Sequence, residues 1–304
     1  MLAVLLSLAS AVGYGGSDFA AGLATRSASV IRVTLLAEAA SVAVVGVALA
    51  LIGAHPLDAR AVAWGSVAGL GGVAGAMALY LGFRHAAFSV AATLSAVGSA
   101  GFSVLAGLLL GERPSALALI GIALALPAIA GVSASAHEPD HEEAADASPP
   151  SPPSPGKPAI TGRRWLPAGV SYGLVAGACF ALLFIGLNQA GSGSGLWPVF
   201  CSQVAALLAV GCVAAFTGDF RLPEANGGRL AVIAGLTGGP GTILFFLATH
   251  HGLLAVAAVI TSLYPAVTIM LARVLLGERL TAVRLAGLSL AAASVALIAA
   301  GGAG

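Results

Sequence analysis

Leu110-Gly111-Glu112-Arg113 and Leu276-Gly277-Glu278-Arg279 are one phrase written twice. They mark the same place in a run that extends from Ala78 to Val132 and returns, without a gap, from Leu244 to Ile298, at an offset of 278 − 112 = 166. The same shift pairs Leu81 with Leu247, His85 with His251, Leu105 with Leu271 and Gly121 with Gly287. An Ala/Leu-rich background raises chance identity, but not in one register over such a length. In a strongly apolar chain, duplication of this kind points to transporter folds, whose halves rock against each other around a site near the bilayer midplane.

Working outward, composition sets the solvent. Of 304 residues, 59% are hydrophobic and 8% charged, and the mean hydropathy is +1.00. That is too apolar for an ordinary soluble domain. Apolar stretches of roughly 20 residues recur almost end to end, each long enough to cross a hydrocarbon core of about 30 Å as a helix. Backbone groups in lipid must be satisfied within the chain, and the alternation of a barrel strand is absent, so the expected fold is all-α. Breaks at charge, Gly and Pro predict helices over 2–23, 30–53, 61–83, 88–110 and 114–135, then 166–189, 197–216, 230–249, 253–276 and 280–300. Five crossings per half is an odd number, so the second half enters the membrane from the opposite side, giving ten transmembrane helices as two inverted five-helix repeats. The repeats span 1–136 and 166–304. Between them, 137–165 is acidic, then Pro/Ser-rich, then basic; such composition buries no core and reads as a flexible linker. His137 and His141 within it sit beside carboxylates and read as part of that solvated tether.

The net charge of +1 offers nothing to a nucleic acid. Cys179, Cys201 and Cys212 fall inside apolar stretches, where they read as small hydrophobes and not as a disulfide or metal set. The first apolar run lacks a basic lead and carries Asp18, which suits a retained helix better than a cleaved signal. No Ser/His/Asp order, phosphate loop or zinc spacing stands in a supporting context, so neither an enzyme nor a cofactor is expected. The side shared by loops 1–2, 3–4, 5–6, 7–8 and 9–10 holds Arg26, Arg84, Lys157, Arg163, Arg164, Arg221, Arg229, Arg279 and Arg284, against Arg60 and Arg113 on the other. By charge count both termini then lie outside the cytoplasm.

Two five-helix units, each with a Gly-Glu-Arg turn before its last helix, and the opening Tyr14-Gly15-Gly16-Ser17-Asp18-Phe19, resemble the drug/metabolite transporter superfamily, specifically a tandem EamA-type protein. Tyr14 and Asp18 stand where relatives often have Trp and Asn. The resemblance implies a ten-helix carrier of the inner or plasma membrane, often an exporter of amino acids, metabolites or toxic compounds. It also implies a central cavity lined by helices 1–4 and 6–9, peripheral helices 5 and 10, and termini in the cytoplasm, opposite to the charge count. Its partners would be a small-molecule substrate, the lipid bilayer and protons, and its assembly a monomer or homodimer.

An ionisable side chain at membrane depth costs a few kcal/mol or more, which makes it a functional candidate. Asp18 in helix 1 and Glu38 in helix 2 qualify. The two helices run in opposite directions, so both carboxylates fall at similar depth, with Arg26 and Arg32 toward the same surface. Close carboxylates cannot both stay charged cheaply, so a proton can be exchanged there for a cationic or zwitterionic solute. The plainer alternatives are a structural Asp18–Arg32 pair and a Glu38 that snorkels to the interface. Asp18, Glu38 and Arg32 correspond at the offset to Phe184, Val204 and Pro198, so this polar cluster belongs to one half. Helix 3 carries Gly71, Gly72 and Gly75, and helix 8 carries Gly238, Gly239 and Pro240; these suit close helix packing, and Pro240 a kink or hinge. Tyr80, Ser95, Gln203, Thr261 and Tyr264 are neutral candidates for the cavity wall or for interhelical contacts. In the repeated turns, Gly111 and Gly277 suit a left-handed position, and Glu112 and Glu278 suit capping of the following helix.

The reading is a proton-coupled exporter of a small organic solute working by alternating access, with an uncoupled facilitator and a non-transporting scaffold as its rivals.

Overall fold

The computed structural model describes residues 1–52, 55–85, 88–133, 168–220, 223–277 and 282–301. The linker over 137–165, with His137, His141 and Lys157, lies outside them, as do Arg163, Arg164 and Arg221 and the second turn's Glu278 and Arg279. Every described element is helical: α1 (Leu2–Ala24), α2 (Val30–Ile52), α3 (Ala59–His85), α4 (Phe88–Leu109), α5 (Ala116–Ser133), α6 (Ala168–Gln189), α7 (Trp197–Thr217), α8 (Ala225–His250), α9 (Leu254–Thr261), α10 (Tyr264–Leu276) and α11 (Ala282–Gly301). They follow the predicted spans within a few residues, except that α9 and α10 divide the ninth.

Seven described segments are long and apolar enough to cross a membrane, and three further apolar helices are shorter. Large side chains point outward: Phe216 is 92% exposed, Leu51 81% and Leu109 80%. An outer surface of that kind matches hydrocarbon and not water. The interior is built from small residues. One buried cluster is mostly alanine, with Ala20, Ala21 and Ala24 of α1 against Ala231 and Ala234 of α8, the composition that lets helices approach where no hydrophobic effect drives them together. All three cysteines are free, Cys212 exposed toward the lipid face where burial was expected.

The two halves interlock rather than sit side by side. α1 packs on α8 and α3 on α6; α2 packs on α8 and α3 on α7; α5 packs on α11 and α4 on α9. Exchanging the halves turns each of these pairings into another or into itself. Gly69 and Gly235, one offset apart, make the closest crossings: a Cβ on Gly69 would run into the Ser202 carbonyl oxygen of α7, and one on Gly235 into the Ala37 carbonyl oxygen of α2. The ends of the bundle are tied in the same manner. At the end bearing the α1–α2 turn, Ser29 and Arg32 bond the Asp219 carboxylate of the α7–α8 loop. At the other, the Trp197 indole donates to His55 O (2.9 Å), Arg60 Nε to Gln189 O (2.7 Å) and Ser115 Oγ to Gly301 O (2.9 Å).

Two local expectations are corrected. The single helix expected over 253–276 breaks after Thr261, because Pro265 lacks an N–H and its ring collides with the carbonyl four residues earlier, that of Thr261. Pro265 sits in the first turn of α10, a position that tolerates it. Pro240, the residue singled out for a kink, lies inside an α8 that continues through it. The second correction concerns Glu112. Gly111 takes the left-handed φ of +90° and Gly277 one of +72°, as the repeated turn requires, but Glu112 does not cap α5. Ser115 already does so, accepting the Ala118 N–H at 3.2 Å. The Glu112 carboxylate instead crosses to the other half and accepts the Leu254 and Ala255 N–H groups, the latter at 2.9 Å, at the start of α9, which has no side-chain cap of its own. Glu112→Ala is expected to lower stability by about 1 kcal/mol, and Glu112→Gln by less, in thermal unfolding of the purified protein.

Candidate functional site

Asp18 lies six residues before the end of α1, about 9 Å in, and Glu38 eight residues after the start of α2, about 12 Å in. Both open onto a cavity of about 90 Å³ lined by α1, α2, α3, α6, α7 and α8. Its wall is drawn from the two halves in matched pairs at the offset of 166: Tyr14 with Phe180, Ser17 with Leu183, Ala37 with Gln203, Gly69 with Gly235, Gly72 with Gly238, and Ala76 with Thr242. Twelve of the twenty lining residues fall into these pairs, which puts the cavity where the two halves meet. The acidic residues and Thr34 are among the unpaired ones, since the counterparts of Asp18, Thr34 and Glu38 are Phe184, Phe200 and Val204, none of which lines the cavity.

Tyr14 is held in place by its hydroxyl, which donates to Thr242 Oγ1 at 3.1 Å. Beyond it, toward the α2–α3 end, stands Phe184, stacked on Phe245 with ring centroids 4.2 Å apart, within a cluster that includes Val45, Leu187 and Phe246. No Lys, Arg or His lines the cavity among the described residues. An ionised carboxylate without a countercharge in such surroundings costs several kcal/mol, so charge there has to be neutralised by a proton or by a cationic group.

Arg32 does not supply it. Its guanidinium pairs with Asp219, the one salt bridge among the described residues, so neither the Asp18–Arg32 pair nor an arginine above the carboxylates is formed. Six residues separate Arg32 from Glu38, which turns their side chains about 120° apart around α2. Arg26 is exposed at the α1–α2 turn. Glu38 faces the cavity and does not snorkel outward.

Of the other candidates, Tyr80, Gly72, Gln203 and Gly238 reach the cavity. Gly71 and Gly75 pack α3 on α6, where a Cβ would lie 2.7 Å from Cys179 O and 2.8 Å from the Phe180 ring, and Gly239 packs α8 on Val44 of α2. Pro240 is half-buried in α8 away from the lining. Ser95, Thr261 and Tyr264 form a separate polar seam between α1, α4 and the α9–α10 break: Ser95 Oγ and Tyr264 Oη are 3.4 Å apart, and Thr261 donates to Ser7 O at 3.4 Å. The break at Pro265 turns them that way, so they are interhelical contacts and not cavity wall. Among the described residues no lining residue comes from α4, α9 or α10, in contrast to the implied participation of helices 4 and 9.

Thr34, Ser41 and Phe180 also line the cavity and were not singled out from sequence. Signals for them exist: Thr34 and Ser41 stand four before and three after Glu38, on its face of α2, and Phe180 is Tyr14 shifted by 166.

Fold and site together define a polytopic helical membrane protein with a partly open cavity between its halves, apolar over most of its wall and lined by two carboxylates. Residues 163–300 match the EamA-like transporter family. Over that stretch the chain is similar to the membrane transporters of this family. A solved crystal structure of a protein superposes with a TM-score of 0.72 at 16% identity, over 98% of each chain, a likeness of fold that extends through both halves. No curated protein matches the chain significantly.

Proposed function

We propose that the protein is a secondary-active carrier of the cell's inner or plasma membrane that exports a small organic solute by alternating access, exchanging it for protons on Asp18 and Glu38. The observation that carries this reading is the cavity itself: it lies where the halves meet, most of its lining is paired at the repeat offset, and it holds two carboxylates with no countercharge among the described residues. Pseudo-symmetric packing supports an inverted pair of five-helix repeats, because α1 begins at the end of the bundle where α6 finishes. In such a pair, rocking one half against the other moves access from one end of the cavity to the other. The Phe184–Phe245 stack stands toward one end of the bundle and the Arg32–Asp219 pair at the other, and these are the contacts that such rocking would remake.

Reconstituted vesicles loaded in turn with labelled amino acids, amines and other small metabolites test the proposal. With a pH gradient directed to drive exchange, at least one solute is expected to move against its own gradient, and a protonophore is expected to abolish that movement. A flux identical with and without the pH gradient would establish the uncoupled facilitator instead. No solute moving faster than through protein-free vesicles would overturn the carrier reading.

A further inference from the structure

The cavity's chemistry narrows the solute further, on the premise that this cavity is the transport site. Two carboxylates, Asp18 and Glu38, face it from the first half, and no basic side chain among the described residues answers them. Glu38 Oε2 is buried without a hydrogen-bond partner, and so is Oγ1 of Thr34, a residue only 2% exposed that lies one helical turn from Glu38 on the same wall. Buried polar atoms are normally paired, so these two are placed for something that enters. Across the cavity, α6 of the second half presents Phe180 and Leu183, which offer no charge and no hydrogen bond, while α7 and α8 add the neutral polar side chains of Gln203 and Thr242.

We infer that the cavity selects a small organic cation bearing N–H donors, a primary ammonium with a short apolar tail, over neutral, anionic or quaternary solutes of similar size. The ammonium group carries three donors, enough for Asp18, for Glu38 Oε2 and for the Thr34 hydroxyl. Its charge takes the role that no described residue of the wall fills. Its tail lies against Phe180 and Leu183. An anion meets two carboxylates, a neutral alcohol leaves both without a countercharge, and a quaternary ammonium leaves the buried acceptors unpaired. The carboxylates that bind the ammonium are those proposed to carry the protons, so one site holds either cargo and not both.

The test is thermal stabilisation of the purified full chain by four probes, n-butylammonium chloride, tetramethylammonium chloride, 1-butanol and sodium butyrate, measured at several concentrations. Butylammonium alone is expected to raise Tm in a saturable way. Its affinity is expected to fall about 10-fold in Thr34→Val and at least 100-fold in Asp18→Asn or Glu38→Gln, and to stay unchanged in Ser289→Ala, on the exposed face of α11 outside the cavity. Equal stabilisation by butanol, butyrate or tetramethylammonium would overturn the inference, as would butylammonium binding indifferent to all three cavity variants. Should a variant fail to fold, the ranking of the four probes on the unaltered protein decides alone. The two readings fail separately: butylammonium binding with no solute flux in vesicles refutes the carrier and leaves the cation site, whereas flux of some solute with no butylammonium binding refutes the cation site and leaves the carrier.

Discussion

Asp18→Asn and Glu38→Gln are each expected to reduce proton-driven solute flux by roughly 100-fold while leaving a folded protein. Removing one partner of a desolvated ion pair costs about 3 kcal/mol, and that converts to about two orders of magnitude in affinity. The substitutions keep the shape of the side chains, so packing around the cavity is preserved. They also relieve the fold of a charge that nothing in the wall neutralises, and Tm of the empty protein is therefore expected to hold or rise while function falls. Flux in reconstituted vesicles, read beside thermal unfolding of the same preparations, checks both halves of this expectation. A variant that loses flux and stability together would assign the carboxylates to the fold and not to the cargo.

Gly69→Val and Gly235→Val are expected to be the most damaging substitutions outside the polar site. At both positions the Cβ alone would meet a backbone oxygen of the crossing helix, Ser202 in one case and Ala37 in the other. A side-chain tip could rotate away from such a contact, but a carbonyl inside a helix moves only with its helix. The crossing must then widen, at about 1–3 kcal/mol by the usual cost of overpacking. Both glycines also line the cavity, so widening the α3–α7 or α2–α8 crossing changes the shape of the site. The expected signature is a lower Tm together with weaker solute binding, of similar size in the two variants because the offset relates them. Gly101, beside which a Cβ would meet nothing within 4 Å, is the control position and is expected to tolerate valine with little loss.

Much of this architecture was legible in the sequence because its strongest signals are global. The repeat from Ala78 to Val132, returning from Leu244 to Ile298, and the near-continuous apolar spans predicted ten helices, and the structure places ten apolar segments close to those bounds. Asp18 and Glu38 were legible for a related reason, since a charge in a span stands out against its background. What escaped was lateral. Linear depth placed Arg32 above the carboxylates, but its direction around α2 sends it to Asp219 on a loop of the other half. Glu112 was read against the next helix in the chain, whereas its carboxylate reaches α9, about 140 residues later, because Ser115 had already satisfied the nearer donors. Pro240 drew attention through its glycine neighbours, while Pro265, in plainer surroundings, is the residue that divides a span.

The most direct measurement of the central proposal, that solute and proton compete for Asp18 and Glu38, is proton release on cation binding. Purified protein in weakly buffered detergent solution is titrated with n-butylammonium chloride at a pH where the amine is fully charged, and the released acid is counted against the bound cation. Release of about one proton per cation bound, abolished in the Asp18→Asn/Glu38→Gln double variant, is the predicted result. Saturable binding that releases no protons would contradict it.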